Sequence, residues 1–358
     1  MPRAPHKNCR RDSAMVQRVA LLLCAVLMVP SALDSGERWW RVYFTSPGCR
    51  QGRCGHVVNP ETGLGDLIRN CRNSFDGAFY ELRSPVITGL LIEAARRGVR
   101  VRLVVERGRM GSVWIRRIMD AGIPVVADDG EGLMHNKFAV IDGRVLWTGS
   151  YNATVNGAVR NNNNALAIES AALCEIFNRE FMEMFDGRVF GNRRERGVFA
   201  PFRRRRSAVV HGTRIRVLFS PEDEIEEELR EYIRNASVSV HFMAFSFTSN
   251  ELGEELVRCR RRGVEVRGIF ERKGSMTRYS EYMKLLLEGV KVKKDCNRFA
   301  MHHKVFIIDR RIVVMGSYNF SRGAQMSNDE NVLIIDNPEI AAEYIMEFNR
   351  LYGAVCRQ

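Results

Sequence analysis

The sequence has only one long apolar run, Val19–Val29 (VALLLCAVLMV). At eleven residues it falls short of the roughly 20 needed to cross a bilayer as a helix, which excludes a polytopic membrane protein. No paired Cys-x-x-Cys occurs among the nine cysteines, so no zinc ribbon is written here. Asp, Glu and His form no grouping with metal-ligand spacing, and neither a metal nor a cofactor is expected. Negative charge is short, with 42 Asp+Glu against 55 Lys+Arg and a net charge of +13. Disorder, collagen and coiled coil are excluded as overall classes by a hydrophobic content of 45% with 27% charged residues. A length of 358 residues suggests two domains, each able to bury its own core. The positive excess points to a polyanionic partner: nucleic acid, anionic lipid or a phosphorylated substrate.

Part of that excess belongs to the N-terminus. Arg3, Lys7, Arg10, Arg11 and Arg18 stand against Asp12 ahead of the apolar run, and Pro30, Ser31 and Ala32 follow it. This is the layout of a secretory leader, expected over residues 1–35, with Met15 as an alternative start. A secreted or periplasmic protein follows, or a membrane-anchored one where the leader stays uncleaved. Cys49, Cys54 and Cys71 then cluster, and an oxidising compartment would allow a loop-closing disulfide among them. Cys49 and Cys54 with His56 form the weaker alternative of a zinc site.

The dominant feature is an internal repeat. Residues 134–152 read MHNKFAVIDGRVLWTGSYN and residues 301–319 read MHHKVFIIDRRIVVMGSYN. His135/His302, Lys137/Lys304, Asp142/Asp309, Ser150/Ser317 and Asn152/Asn319 share one offset of 167, and upstream Arg-Arg-Gly-Val recurs at 96–99 and 261–264. Copies this long are homologous lobes, not solenoid units. In the second copy, Ser237–Phe247 reads as a strand, Ser249–Arg262 as a helix and Val264–Phe270 as a strand. A helix is expected over Tyr279–Glu288, a hairpin over Val305–Met315 and a last helix near Pro338–Leu351. The expected class is α/β: two α/β/α sandwich lobes over 36–186 and 215–358, joined by a basic linker over 187–214.

Each copy offers His-x-Lys, four apolar residues, Asp, and then Gly-Ser-x-Asn. Strand alternation puts His135 with Lys137 on one face, and His302 with Lys304 likewise. The apolar run Phe138–Ile141 crosses the core and carries Asp142 to its far end. Imidazole, ammonium, hydroxyl and amide together suit a tetrahedral anion, with Ser150, Asn152, Ser317 and Asn319 as candidate phosphate donors. A lone histidine would read as an ordinary half-buried strand residue; the duplicated polar set does not.

These residues resemble the phospholipase D superfamily, whose HKD motif is this His-x-Lys-x4-Asp followed by Gly-Ser-x-Asn. The resemblance runs from about residue 40 to the end. It implies two lobes related by a pseudo-twofold with both motifs meeting at one interface. It further implies phosphodiester hydrolysis through a phosphohistidine, with Lys137, Lys304, Asp142 and Asp309 in the catalytic set and no metal. In this family an acidic residue after the second motif crosses to the other lobe's histidine, which here is Glu330; Asn163 stands at the equivalent place in copy one. That asymmetry makes His135 the expected nucleophile and His302 the general acid and base.

The substrate is expected to be a phospholipid, cleaved to phosphatidate, on the strength of export and of Trp39-Trp40 after the leader; ordinary packing explains that pair as well. A metal-independent nuclease is the alternative, with Arg193, Arg194, Arg196 and Arg203–Arg206 tracking a phosphate backbone or contacting an anionic membrane. A catalytically impaired polyanion-binding protein is the third reading, supported by Asn163 alone. Both half-sites lie in one chain, so no protein partner is required.

Overall fold

In a computed structural model of the chain, residues 38–47, 59–191 and 206–354 are described. The expected leader, Cys49, Cys54, His56 and Arg193–Arg205 lie outside them.

Seven strands make the first large sheet: β1 (Trp40–Phe44), β2 (Ser74–Phe79), β4 (Arg100–Val105), β5 (Val125–Ala127), β6 (Lys137–Ile141), β7 (Val145–Gly149) and β9 (Asn164–Glu169). Two short strands, β3 (Leu82–Arg83) and β8 (Ala153–Thr154), pair with each other. The second large sheet holds β10 (Ser207–Val210), β11 (Thr213–Ser220), β12 (Ser239–Ala244), β13 (Glu265–Phe270), β14 (Lys291–Lys294), β15 (Lys304–Ile308), β16 (Ile312–Gly316) and β17 (Glu330–Asp336). Strand order is β1-β9-β7-β6-β2-β4-β5 in the first and β10-β11-β17-β16-β15-β12-β13-β14 in the second. Apart from the added edge strand β10, the two orders correspond strand for strand, so the sequence repeat is a repeat of topology. In each sheet two parallel crossovers sit at one edge, and an antiparallel hairpin carrying the motif occupies the centre.

The motif strands are apolar along their length because both faces are covered. In β6, Phe138 and Val140 face one core while Ala139 and Ile141 face another; in β15, Val305 and Ile307 oppose Phe306 and Ile308 in the same way. Each lobe keeps an outer core of its own. Between the sheets lies a third core, shared by the two lobes, which the helices Ala171–Phe185 and Pro338–Tyr352 fill with Phe177, Phe181, Tyr344 and Phe348. The lobes are therefore fused through a common interior.

Three expectations need correction. Strand pairing begins at Ser207, inside the stretch read as linker; Val209, His211 and Arg214 lie in or beside β10 and β11, and Arg206 is turned inward onto Asp223 at 2.8 Å and over Phe219. The Trp pair is packing: Trp40 is buried in the shared core and Trp39 stacks on His211 with ring centroids 5.6 Å apart. Cys71 is a free, buried thiol, not a disulfide partner; it contacts Ser74 O and Asp142, and burial followed by that carboxylate pushes its pKa up to about 12. Cys296, which the cysteine reading passed over, is disulfide-bonded.

Candidate active site

Each motif histidine lies two residues ahead of a buried lysine that opens a central strand. The lysine turns back on its histidine: Lys137 Nζ donates to His135 O at 2.7 Å and Lys304 Nζ to His302 O at 2.9 Å. An aromatic ring from the adjacent strand end completes each half. Tyr80 meets the His135 ring edge-on at 4.7 Å and lies under Lys137; Phe245 meets His302 at 4.6 Å and lies under Lys304. These cation–π contacts hold the ammonium groups where water is scarce. Tyr80 and Phe245 were not singled out from the sequence, although they share the 165-residue offset of the Arg-Arg-Gly-Val match.

The halves are pinned across the lobe boundary. His135 N donates to Asp329 O at 3.0 Å while Asp329 N donates to Leu133 O; His302 N donates to Asn162 O at 2.8 Å while Asn162 N donates to Ala300 O. The residues after each pin reach into the other lobe's motif. Glu330 Oε2 lies 2.7 Å from His135 Nδ1, and Asn331 Nδ2 donates to Asn136 Oδ1 at 2.7 Å. In the mirror position Asn163 Oδ1 lies 3.0 Å from His302 Nδ1, and Asn164 Nδ2 lies 2.8 Å from His303 Nδ1. Neither His/Lys half is complete without the other lobe.

Four basic groups surround the Glu330 carboxylate, and burial decides their protonation. Burial, then Lys137 and Lys304, push His135 well below the ordinary histidine range. Burial, Lys304, Lys137 and His135 do the same to His302. Burial lowers Lys137 to about 7 against the pull of Glu330 and Glu81, and it lowers Lys304 strongly. Glu330 is raised to about 7 by burial, opposed by Lys137. Such a site is short of negative charge, and an entering phosphodiester would restore protons to it. With Nδ1–H donated to Glu330, the Nε2 lone pair of His135 is left for chemistry.

The remaining candidates divide. Ser150 and Ser317 are fully buried and engaged: Ser150 Oγ accepts from Asn164 N at 3.1 Å and Ser317 Oγ from Asn331 N at 3.0 Å. They brace the strands that carry the cross-lobe residues, and the Ser317 hydroxyl also bonds the Glu330 carboxylate. The glycine before each is dictated by close approach, since a Cβ on Gly149 or Gly316 would fall 2.4 or 2.1 Å from a carbonyl oxygen of the neighbouring strand. Asn152 and Asn319 are half-buried, each with an enclosed Oδ1 that has no hydrogen-bond partner among the described residues, so polar capacity is left over at the same place in both lobes.

Asp142 and Asp309 lie apart from the His/Lys halves. They sit at the far ends of β6 and β15 with φ of 54° and 51°, and their carboxylates accept backbone N–H groups from Arg72, Asn73 and Ser74 and from Ser237, Val238 and Ser239. They clamp the start of β2 and β12, and the five-residue strand between keeps them away from the histidines. Burial raises both carboxyls, but the N–H donors outweigh it and hold them below the ordinary range. Asp142→Ala or Asp309→Ala is therefore expected to cost about 1–2 kcal/mol of stability with kcat unchanged. A depressed carboxyl stabilises above its unfolded pKa and stops doing so as pH falls through its folded pKa. Urea midpoints of wild type and variant should thus converge toward acid pH. A variant with native stability and lost turnover would return these residues to the catalytic set.

Among the described residues one acidic trio, Glu180, Glu183 and Glu222, brings carboxylate oxygens within 4.8 Å; all three engage other groups and none belongs to the His/Lys set.

The family model described as "Cardiolipin synthase, PLD-like domain" matches residues 64–185 and 229–352, one copy per lobe. The chain is 30% identical over 122 residues to a mitochondrial cardiolipin hydrolase of Chlamydomonas reinhardtii, covering 34% of this chain and 55% of that protein. It is 29% identical over 136 residues to a phospholipase D of Rickettsia felis, covering 38% and 68%. Among solved structures, a phosphatidylserine synthase from Haemophilus influenzae Rd KW20 aligns with a TM-score of 0.60 at 13% identity, over 82% of this chain and 83% of that one. That last likeness speaks for the two-lobe fold alone.

Proposed function

The chain belongs to the phospholipase D superfamily, and from that membership we propose that it hydrolyses phosphodiesters through a covalent intermediate on His135, with phospholipid as substrate. The carrying observation is the pairing of two buried His/Lys halves across one lobe boundary, with a carboxylate behind only one of them.

His135 Nε2 attacks phosphorus in line, forming a P–N bond as the P–O bond to the leaving alcohol breaks. His302 Nε2 gives that alcohol its proton; the negative charge of the bound diester favours the protonated form that burial disfavours in the empty site. Lys137 and Lys304 offset charge on the non-bridging oxygens of the transition state. Water then attacks from the vacated side, His302 takes its proton, and the P–N bond breaks to restore His135. Glu330 holds the His135 tautomer and stabilises the imidazolium character that develops during attack, as the carboxylate of a Ser-His-Asp triad does. His302, backed by the Asn163 amide and Ser150 O, stays the more acidic partner.

The phospholipid reading is supported by the relatives, a cardiolipin hydrolase and a phospholipase D. The test offers the full chain, in EDTA, phospholipid vesicles and single-stranded DNA or RNA side by side. Headgroup release with polynucleotide left intact is expected. Cleavage of polynucleotide alone would make it a nuclease, and loss of all activity in EDTA would overturn a mechanism that needs no metal.

A further inference from the structure

The connection from β13 to β14, residues 271–290, carries a concentration of exposed apolar side chains. Met276 is 72% exposed and Leu287 81%, with Tyr279, Met283 and Leu286 exposed between them. Scattered exposed apolar residues are ordinary on a soluble protein; five within twelve positions are not. The strip begins beside the His302 half of the site. The turn Gly274–Met276 packs on the backbone of Phe245, where a Cβ on Gly274 would lie 3.0 Å from Phe245 O, and the Phe245 ring is the one against His302. Glu281 N donates to Phe247 O, which fixes the base of the helix Tyr282–Leu287 on the same loop.

Charge is sorted around this strip. Glu271, Glu281 and Asp295 are buried and serve the segment's own backbone and Lys284: Gly274 N donates to Glu271, Arg272 N to Asp295, and Lys284 pairs with Glu281. The exposed charges left outside are Arg272, Lys273, Arg278, Lys291, Lys293 and Lys294, against the single carboxylate of Glu288, which is paired with Arg261 at 2.8 Å. Apolar side chains within a cationic surround complement a surface that is anionic outside and apolar beneath.

We propose that the strip Met276–Leu287 docks the protein on an anionic bilayer, bringing the His302 half of the site to the headgroup layer. This rests on the phospholipid reading above and adds to it where the lipid is met. Burial of the apolar side chains supplies adhesion, and Arg272, Lys273 and Arg278 select anionic over zwitterionic surfaces.

The test is co-sedimentation of the full chain with vesicles of phosphatidylcholine alone and of an equal mixture of phosphatidylcholine and phosphatidylglycerol. It is run on the wild type, on a combined Met276→Ser, Leu286→Ser, Leu287→Ser variant and on a Lys273→Glu, Arg278→Glu variant. The wild type is expected to prefer the mixed vesicles, and both variants to lose about tenfold or more of that partition. Their kcat/KM on a soluble phosphodiester should stay at the wild-type value. Variants that sediment like wild type, or a wild type that binds neither vesicle, would overturn the proposal. So would a parallel loss of soluble-diester activity, or a wild-type dimer that the serine variant turns into a monomer, which would assign the strip to a second copy of the chain. Phospholipid in detergent micelles separates the two readings. If it is left uncleaved while vesicle binding follows the expected pattern, the substrate assignment fails and the docking surface stands.

Discussion

His135→Asn should reduce turnover of any phosphodiester by about 10⁴-fold or more, because it removes the attacking atom itself. The substitution is gentle to the fold. The backbone of residue 135 keeps its bond to Asp329 O, and Lys137 donates to the main-chain oxygen of that residue, not to its side chain. An asparagine amide can still meet Glu330, whose carboxylate also keeps its bonds from Asn328 and Ser317. Steady-state kcat beside a thermal midpoint within a few degrees of wild type checks both halves of this expectation. A variant keeping a tenth of wild-type turnover would remove His135 from the nucleophile role.

His302→Asn should act differently, and the difference depends on the leaving group. A general acid contributes about 10²- to 10⁴-fold when the departing alkoxide is basic and little when it is not. Hydrolysis of an alkyl diester should fall by about that range. A nitrophenyl diester should still phosphorylate His135, giving a burst of nitrophenol near one equivalent. The second half-reaction then stalls, since no base remains to take the proton from water. Equal loss on both substrates with no burst would mean that His302 also supports the attack, or that the assignment is reversed.

The strands β12 and β13 and the helix Asn250–Arg261 fall inside their expected spans, and β15 and β16 overrun theirs by one residue each, because short β-branched runs and a glycine stop signal, Gly263 at φ 91°, are local information. The duplicated motif made both halves of the site readable, since identical offsets survive folding. Ser150 and Ser317 read as ligand-facing from the motif, because a hydroxyl looks the same in sequence whether it faces ligand or braces a strand. Asp142 and Asp309 came in with the motif that contains them, although their own expected position at the far end of the strand already argued for a structural clamp. Tyr80 and Phe245 were overlooked because aromatic residues at strand ends usually read as packing. The shared core between the sheets could not be read at all. Nothing in Phe177 or Tyr344 says that its helix covers two sheets instead of one.

The central claim is that phosphorus is carried on His135. The most direct measurement is acid-free rapid quench of the enzyme with a labelled nitrophenyl diester, followed by peptide mapping of the label under mildly alkaline conditions that preserve phosphohistidine. Label is expected on the peptide bearing His135 in the wild type, more of it in His302→Asn, and none in His135→Asn. Label on His302, or label that persists in His135→Asn, would contradict it.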